Sequence, residues 1–181
     1  MVQAEQAAVQ HVEAYLSDLQ HHDLEAASEH LADDVVMTFA GADIAMNKEQ
    51  IISALGWDVG AKGRFSFERL SASDATVTIA LTETNDFLDL LELPLIEAEM
   101  TFAINADARI QSIVYKQAGA ASTDPETVQR ALAPAVSWAE RHAPETLAEI
   151  YPQGRIQYSR ESAGKWVELL RRWRTSQNSV N

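Results

Sequence analysis

The sequence predicts an α+β fold in which helices precede a sheet and further helices follow it. Residues 9–39 have the apolar spacing of a long helix, a short helix and a strand. Period-two alternation of apolar residues recurs in four later segments, separated by short polar turns. Helical spacing of apolar residues returns after residue 123. These three observations place a sheet of mostly consecutive strands between two groups of helices.

The first helix has one face suited to burial, and that face includes a tyrosine. The apolar positions that recur at steps of three and four residues are Val9, Val12, Tyr15, Leu16 and Leu19. Asp23 is expected to cap a second helix over residues 24–31, because its carboxylate can accept hydrogen bonds from unpaired amides. A turn at residues 32–34 and an alternating strand at 35–40 should follow.

The middle of the chain predicts one short helix and four strands. The helix covers residues 48–55, and Trp57 after it is either a wall or lid of a pocket or a residue that seals the helix end. The strands are expected at residues 65–70, 75–84, 95–104 and 109–117. Turns at residues 71–74 and 105–108 would connect two pairs of them as hairpins.

The last third of the chain predicts helices. Residues 119–123 read as a linker, and Asp124 or Thr123 should begin a helix that is kinked or broken at Pro134. A short helix is expected at 144–150. The final helix, capped by Ser159, has an apolar stripe of Trp166, Leu169, Leu170 and Trp173. This stripe must cover the outside of the sheet, the pocket mouth or a second subunit, and packing on its own chain is the simplest choice.

Composition limits the classes of function. The chain has 181 residues, 46% hydrophobic and 23% charged, which suits one globular domain with an appendage and no second core. A net charge of −13 argues against binding to nucleic acid or to anionic membrane surfaces. The absence of cysteine excludes disulfides, thiol nucleophiles and cysteine-bound metals. The sequence has no membrane-spanning apolar run and no basic signal-like start, so we expect a cytoplasmic location.

The run of residues 12–27, VEAYLSDLQHHDLEAA, followed by HLADDV at 30–35, resembles the opening of the nuclear transport factor 2-like superfamily. This superfamily includes ketosteroid isomerases, polyketide cyclases and limonene-type epoxide hydrolases, and the resemblance covers roughly residues 5–118. It implies a cone-shaped, curved, mostly antiparallel sheet in a domain of residues 1–118, with a helical C-terminal extension at 119–181. It also implies that Glu97 and Glu99 point outward, toward solvent or the partner in a homodimer.

Two acids compete for one place in the predicted pocket. Alternation along the strand at 75–84 puts Glu83 at the end of the inward apolar row, where desolvation would raise its pKa and suit it to proton transfer. However, residues 82–86 resemble the Thr-Glu-Arg-x-Asp segment of the epoxide hydrolases. That resemblance would turn Thr84 and Asp86 inward, with Tyr115 in place of the partner aspartate. Both arrangements cannot hold in an unbroken strand, and we expect Asp86 to face the pocket.

The resemblance also implies a role for Tyr15, which stands where ketosteroid isomerase has its oxyanion-hole tyrosine. The catalytic base of that enzyme is matched by Phe39, and its protonated aspartate by Met100. Because both replacements are apolar, the isomerase mechanism cannot run unchanged in this chain.

We therefore expect an enzyme that acts on a small, largely apolar metabolite by cofactor-free acid/base chemistry of the isomerase, lyase, cyclase or hydrolase type, without a metal. The predicted catalytic residues are Asp86, Glu83, Tyr15 and Tyr115. The predicted ligand-binding residues are Met37, Phe39, Trp57, Thr84, Met100, Phe102 and Ile113. The alternatives are a non-catalytic small-ligand binding protein and a dimeric interaction module whose pocket has no function.

Overall fold

A curved sheet wraps around the N-terminal helices, and three more helices pack beside it. The computed structural model describes residues 2–118 and 124–178, without the side chains of residues 2–4. The α-helices in this part of the chain are α1 Val2–Gln20, α2 Leu24–Glu29, α3 Lys48–Gly60, α4 Asp86–Leu90, α5 Pro125–His142, α6 Pro144–Ile150 and α7 Arg160–Asn178. The strands are β1 Leu31–Phe39, β2 Ala45–Met46, β3 Arg64–Ser73, β4 Thr76–Thr84, β5 Ile96–Ile104 and β6 Ile110–Ala118. The expected fold class is confirmed.

The strand order of the sheet is β2-β1-β6-β5-β4-β3. Neighbouring strands are antiparallel except for the parallel pair β1 and β6, which brings the first and last strands of the cone together. The register shifts between Arg69 and Ser71 on β3 and between Ala103 and Ile104 on β5. Such irregularities bend and twist a strand, and they help the sheet to curve around its contents.

Alternation along the strands separates an inner face from an outer face, as the sequence predicts. On β4, Val77 and Ile79 are each 2% exposed, while on β5 Ala98 and Phe102 are buried and Glu97 is exposed. The inner side chains pack against Val12, Tyr15 and Leu16 of α1. The hydrophobic effect therefore selects which face of each strand turns toward the helices.

The chain enters the sheet earlier than the sequence predicts. Asp23 caps α2 as expected, since its carboxylate accepts a hydrogen bond from the Ala26 amide at 3.0 Å. The prediction of a turn at residues 32–34 is wrong, because β1 already begins at Leu31. Leu31 is fully buried and pairs with Ile110 of β6. This contact is long-range, so it could not be read from the local pattern.

Helix α3 extends to Gly60, five positions beyond its predicted end at Leu55. Gly56 and Gly60, which normally weaken a helix, occupy the side that meets α7. A Cβ atom on Gly60 would lie 2.2 Å from the Arg160 carbonyl oxygen and 2.8 Å from the Ala163 Cβ. Close approach of two helices therefore explains these glycines, and α3 continues through them.

The C-terminal helices form a second hydrophobic cluster, so the expectation of a single core is wrong. Trp57 of α3 and Phe87 of α4 pack with the buried sides of α5, α6 and α7. The apolar stripe of α7 is buried at Trp166, Leu169, Leu170 and Trp173. Each aromatic side chain removes roughly 150–250 Å² from water on burial. The stripe thus packs on its own chain, which was the simplest of the three predicted arrangements.

Helix α5 passes through Pro134 without a break, so of the two predicted outcomes, a kink or a break, the break is wrong. A proline cannot donate to the carbonyl group four residues earlier, which here belongs to Arg130. Both residues are exposed, so water can satisfy that carbonyl group. The predicted linker at residues 119–123 lies outside the described residues.

Within residues 2–118 and 124–178, no helix combines the length and apolar character needed to cross a membrane. The same residues contain no cluster of three or more histidine, aspartate, glutamate or cysteine side chains that could hold a metal ion.

Candidate active site

A cavity of ≈ 200 Å³ lies between the inner face of the sheet and helices α1 and α3. Its volume is below the roughly 300–1,000 Å³ of pockets for drug-sized ligands, so it suits a smaller molecule. Most lining side chains are aliphatic, aromatic or thioether groups. The lining residues are Tyr15, Leu16, Leu19, Met37, Phe39, Met46, Ile51, Ala54, Leu55, Asp58, Phe65, Phe67, Leu81, Glu83, Met100, Ile113 and Tyr115.

Sheet register places the polar and apolar walls side by side. Phe39 of β1 pairs with Tyr115 of β6, which pairs in turn with Met100 of β5. Toward the other edge of the sheet, on the same face, Glu83 of β4 pairs with Phe65 of β3. Directly paired residues on one face have neighbouring side chains, so these residues form one continuous concave surface.

Helix α3 supplies the second acid of the cavity. Ile51, Leu55 and Asp58 are separated by four and three residues, so they share one helix face, and all three line the cavity. Because α3 does not end at Leu55, Asp58 is held on a regular helix above the sheet. The same helix turns Trp57 away from the cavity and into the second hydrophobic cluster.

The carboxyl groups of Asp58 and Glu83 are hydrogen-bonded to each other. Burial raises the pKa of Asp58 well above its ordinary value, and the charge of Glu83 and their shared hydrogen bond raise it further. Burial also raises the pKa of Glu83, while hydrogen bonds from Asp58 and Asn85 oppose that rise. Two adjacent carboxyl groups in an apolar site cannot both ionise easily. The raised pKa values therefore favour a state in which the two carboxyl groups share one proton in their hydrogen bond.

Two tyrosines face the same cavity as the carboxyl pair. Burial raises the pKa of Tyr15, with a smaller contribution from the nearby charge of Asp58. Burial also raises the pKa of Tyr115, followed by the charges of Glu83 and Asp58. Both phenols are therefore neutral near pH 7 and able to donate hydrogen bonds. The cavity combines two hydrogen-bonded carboxyl groups and two phenol donors within mostly apolar walls.

The structure places Asp86 outside the cavity, so the expectation that it faces inward is wrong. Strand β4 ends at Thr84 and α4 begins at Asp86, which removes Asp86 from the alternation of the strand. Its carboxylate accepts hydrogen bonds from Arg64 at 2.9 Å and from Arg171 at 2.5 Å. Thr84 also turns away and donates to Asp89 at 2.8 Å. Of the two competing acids, Glu83 is the one in the cavity.

Two further predicted ligand-binding residues do not line the cavity. The ring centroid of Trp57 lies 5.4 Å from that of Phe87 and 4.8 Å from that of Tyr158. Phe102 is fully buried, and its ring centroid lies 5.9 Å from that of Tyr15. Both are packing residues because their neighbours enclose them. The predicted residues that do line the cavity are Tyr15, Met37, Phe39, Glu83, Met100, Ile113 and Tyr115.

Sequence reasoning missed Asp58. The apolar spacing predicts a helix that ends at Leu55, directly before Gly56. Continuing the spacing Ile51, Leu55, Asp58 would have placed an acid on the buried face of the helix, and that was the available signal. This spacing is hard to recognise because glycine normally disfavours a helix, and only the packing partner explains why the helix continues through Gly56.

The fold is found in known structures, although no protein-family model and no curated protein sequence match this chain. SalBIII, an epoxide hydrolase/cyclase-like enzyme of pyran ring formation in salinomycin, is 21% identical, with a TM-score of 0.57 over 64% of this chain and 94% of its own. An LEH-like epoxide hydrolase from M. tuberculosis is 19% identical, with a TM-score of 0.52 over 74% and 97%. A candidate ketosteroid isomerase from Kribbella flavida is 11% identical, with a TM-score of 0.55 over 67% and 84%.

These similarities and the curved sheet define a protein with the nuclear transport factor 2-like fold. The resemblance found in the first residues of the chain is confirmed at the level of fold. One fold of this kind supports several reactions, so the chemistry has to be argued from the residues of the cavity.

Proposed function

We propose that this chain is an acid/base enzyme that acts on a small, largely apolar molecule without a cofactor. The observation that supports the proposal is the hydrogen-bonded pair of Asp58 and Glu83 inside an apolar cavity. Apolar walls would select the ligand by shape, and the few polar groups would orient its reacting atoms.

The pair supplies both partners of a proton transfer. The Glu83 carboxylate takes a proton from the substrate, and the neutral Asp58 carboxyl group gives its proton to a substrate oxygen. The starting state is then restored when the proton on Glu83 returns to Asp58 across their hydrogen bond. The Tyr115 and Tyr15 hydroxyl groups would donate hydrogen bonds to the oxygen while it gains negative charge.

Two reaction classes fit this balance of protons. In enolisation, Glu83 removes a proton from the carbon next to a carbonyl group, and Asp58 protonates the carbonyl oxygen. In epoxide opening, Glu83 takes the proton of the attacking hydroxyl or water, and Asp58 protonates the epoxide oxygen. The names of the similar structures, which include epoxide hydrolases and a candidate isomerase, support testing both classes.

The test uses two neutral probes of suitable size, cyclohexanone and cyclohexene oxide. We expect either hydrogen–deuterium exchange at the α-carbon of the ketone or opening of the epoxide, followed by NMR. Loss of one acid or base group typically lowers a rate by about 10²–10⁴-fold, so Asp58→Asn and Glu83→Gln should each abolish most turnover. Asp86→Asn, which removes an acid outside the cavity, is the matched control and should retain it.

The outcome separates the enzyme from the alternatives. Binding of such ligands that weakens in Glu83→Gln, with no turnover across a wider set of ketones and epoxides, would assign the cavity to a binding protein. Turnover that persists in both cavity variants would contradict the roles given to the carboxyl pair.

We also propose that the chain forms a homodimer through the outer face of the sheet. This face exposes 42% of Val36 and 40% of Val114, which lie on the adjacent strands β1 and β6. Burying such side chains in an interface is favourable. Light scattering should report a dimer for the native chain and a monomer for Val114→Arg, whereas Ile44→Arg in the exposed loop before β2 should stay dimeric. A monomeric native chain would contradict the proposal.

A further inference from the structure

We propose that the ligand of this chain has an unbranched apolar tail, which lies in a second cavity between helix α1 and strands β3 and β4. The inference rests on the proposed function, because it names the class of molecule that would bring its reacting group to Asp58 and Glu83. Such a ligand is longer than the first cavity alone would hold.

The second cavity has a volume of ≈ 210 Å³, close to that of the first. The buried side of α1 contributes Val9 and Val12 to its walls, and the inner face of β4 contributes Val77 and Ile79. These four side chains are at most 7% exposed. The walls of the second cavity are therefore largely apolar and shielded from solvent by the fold.

A void of this size needs an occupant. Protein interiors contain few voids larger than a water molecule, and an unfilled cavity lowers stability. Three of the lining residues are valines, which leave space that larger apolar side chains would fill. Among the described lining residues, the polar side chains are Glu13 and Arg69, and both are exposed. Water inside the cavity would lack the polar partners that it needs, so an apolar group of a ligand is the better occupant.

The two cavities follow each other along the same strand. On β4, Glu83 and Leu81 line the first cavity, and Ile79 and Val77 line the second. Alternate residues of a strand share one face, so this row runs from the acid pair into the second cavity. The row spans about 20 Å, at roughly 3.3 Å per residue. An extended chain can therefore lie along β4 with its reacting end at Glu83.

Two side chains separate the cavities. Leu16 of α1 and Phe67 of β3 line both of them. Leu16 is 4% exposed, whereas Phe67 is half-buried and belongs to a strand at the edge of the sheet. A side chain on an edge strand has fewer neighbours that hold it in place. Rotation of the Phe67 ring is therefore the movement that joins the two cavities.

A loose ion pair lies at the exposed side of the second cavity. Arg69 Nη1 is 3.8 Å from Glu13 Oε1, and the two side chains are 52% and 56% exposed. Exposed pairs of this kind contribute little to stability, so they can part when a ligand enters. The stems of long charged side chains also cover apolar surface. Because the two charges oppose each other, this end of the cavity suits an uncharged hydrocarbon tail.

The experiment compares methyl ketones of increasing chain length, 2-butanone, 2-hexanone and 2-decanone. They are titrated into the full chain with ¹³C-labelled isoleucine and valine methyl groups and followed by NMR. Affinity should rise by up to about fourfold per added CH₂ group, which is the gain from burying one such group. Nuclear Overhauser effects should join the terminal methyl group of 2-decanone to Ile79 and Val77, and the methyl group beside its carbonyl to Ile51 and Ile113.

Two variants fill the second cavity from opposite sides, Val9→Phe from α1 and Val77→Phe from β4. Each should lower the ratio of the affinities for 2-decanone and 2-butanone at least tenfold, because the tail loses its space. Ala7→Phe adds the same side chain at an exposed position of α1 and is the matched control, which should keep the ratio. Urea unfolding identifies a variant that does not fold, and the other variant then provides the test.

The results separate this inference from the proposed function. If affinity does not depend on chain length, or if both ends of 2-decanone contact only Ile51 and Ile113, the second cavity does not hold a tail. Turnover of short ketones or epoxides would still support the enzyme in that case. If the tail contacts Ile79 but neither these ketones nor the 1,2-epoxides of matching length react, the tail site stands and the proposed function fails.

Discussion

The Asp58 carboxyl group on α3 shares a hydrogen bond with the Glu83 carboxyl group on β4, within a cavity whose other walls are mostly apolar. One acid comes from a helix and the other from a strand of the sheet, so they reach the cavity from different sides. Their shared proton gives the site its chemical character, and it also makes the stability of the protein depend on pH.

The first prediction concerns that pH dependence. The pKa of Asp58 is higher in the folded chain than its unfolded value of about 4. Such a group contributes stability at low pH, and the contribution is lost as the pH rises from the unfolded pKa through the folded pKa. Asp58→Asn removes this loss, so its free energy of unfolding should rise relative to that of the native chain between about pH 4 and neutral pH. Each unit of pKa elevation corresponds to about 1.4 kcal/mol, which urea unfolding at several pH values can measure.

Asp33→Asn is a control for which the effect on the free energy of unfolding should change with pH in the opposite direction. The hydrogen bond and charge of Lys48 lower the pKa of Asp33. Its contribution is therefore present above the unfolded pKa and lost as the pH falls. A stability difference between Asp58→Asn and the native chain that stays constant with pH would contradict the raised pKa of Asp58.

The second prediction concerns Asp86, which holds two arginines from different parts of the chain. Its carboxylate pairs with Arg64 of β3 and Arg171 of α7, and its side chain is only 18% exposed. Asp86→Asn should lower the free energy of unfolding by about 1–2 kcal/mol, because networks and partly buried pairs exceed the usual surface value of up to about 1 kcal/mol. The loss should shrink at high salt.

A surface pair provides the comparison for Asp86. Glu126 pairs with Arg130 across one turn of α5, and both side chains are well exposed. Glu126→Gln should change stability by less than about 0.5 kcal/mol. Equal effects of the two substitutions in denaturant unfolding would show that Asp86 does not anchor α7.

The third prediction uses two glycines in helices. At Gly60, an added Cβ would meet the Arg160 carbonyl oxygen at 2.2 Å, and backbone cannot move aside easily. Gly60→Ala should therefore destabilise the chain by about 1–3 kcal/mol, as overpacking does. At Gly164 of α7, an added Cβ has no atom within 4 Å. Gly164→Ala should stabilise the chain by up to about 1 kcal/mol through helix propensity. Thermal and urea unfolding can measure both changes in stability. Changes of the same sign would contradict the prediction.

The fourth prediction tests the cavity as a void. Ala54 of α3 lines it, and Ala54→Leu should fill part of the space with extra methyl groups. We expect stability to be kept or raised, since burial of each added carbon is worth about 0.8 kcal/mol. Binding of cyclohexanone, followed by the methyl signals of Ile113 and Met100, should weaken at least tenfold. Ala133→Leu, at an exposed position of α5, should leave binding unchanged. Unaltered binding in Ala54→Leu would place the ligand elsewhere.

The alternation of apolar residues, together with the family resemblance, predicted most of the strand residues that turn inward. Met37, Phe39, Met100, Ile113 and Tyr115 were all expected on the concave face, and all five line the cavity. Side chains alternate strictly along a strand, so the pattern of apolar residues sorts them into two faces, and the resemblance indicated which of the two is concave. The same alternation correctly pointed to Glu83.

Tertiary structure decided the rest of the site. Helix α3 continues beyond Gly56 because α7 packs closely on its glycines, and only this continuation brings Asp58 to Glu83. Asp86 turns outward because β4 ends before it and Arg171, from the far end of the chain, pairs with its carboxylate. Such contacts join residues distant in sequence, and their energies do not appear in any local pattern of residues. The chain by itself therefore specified an apolar concave surface, while the packing of the C-terminal helices selected the acids that face it.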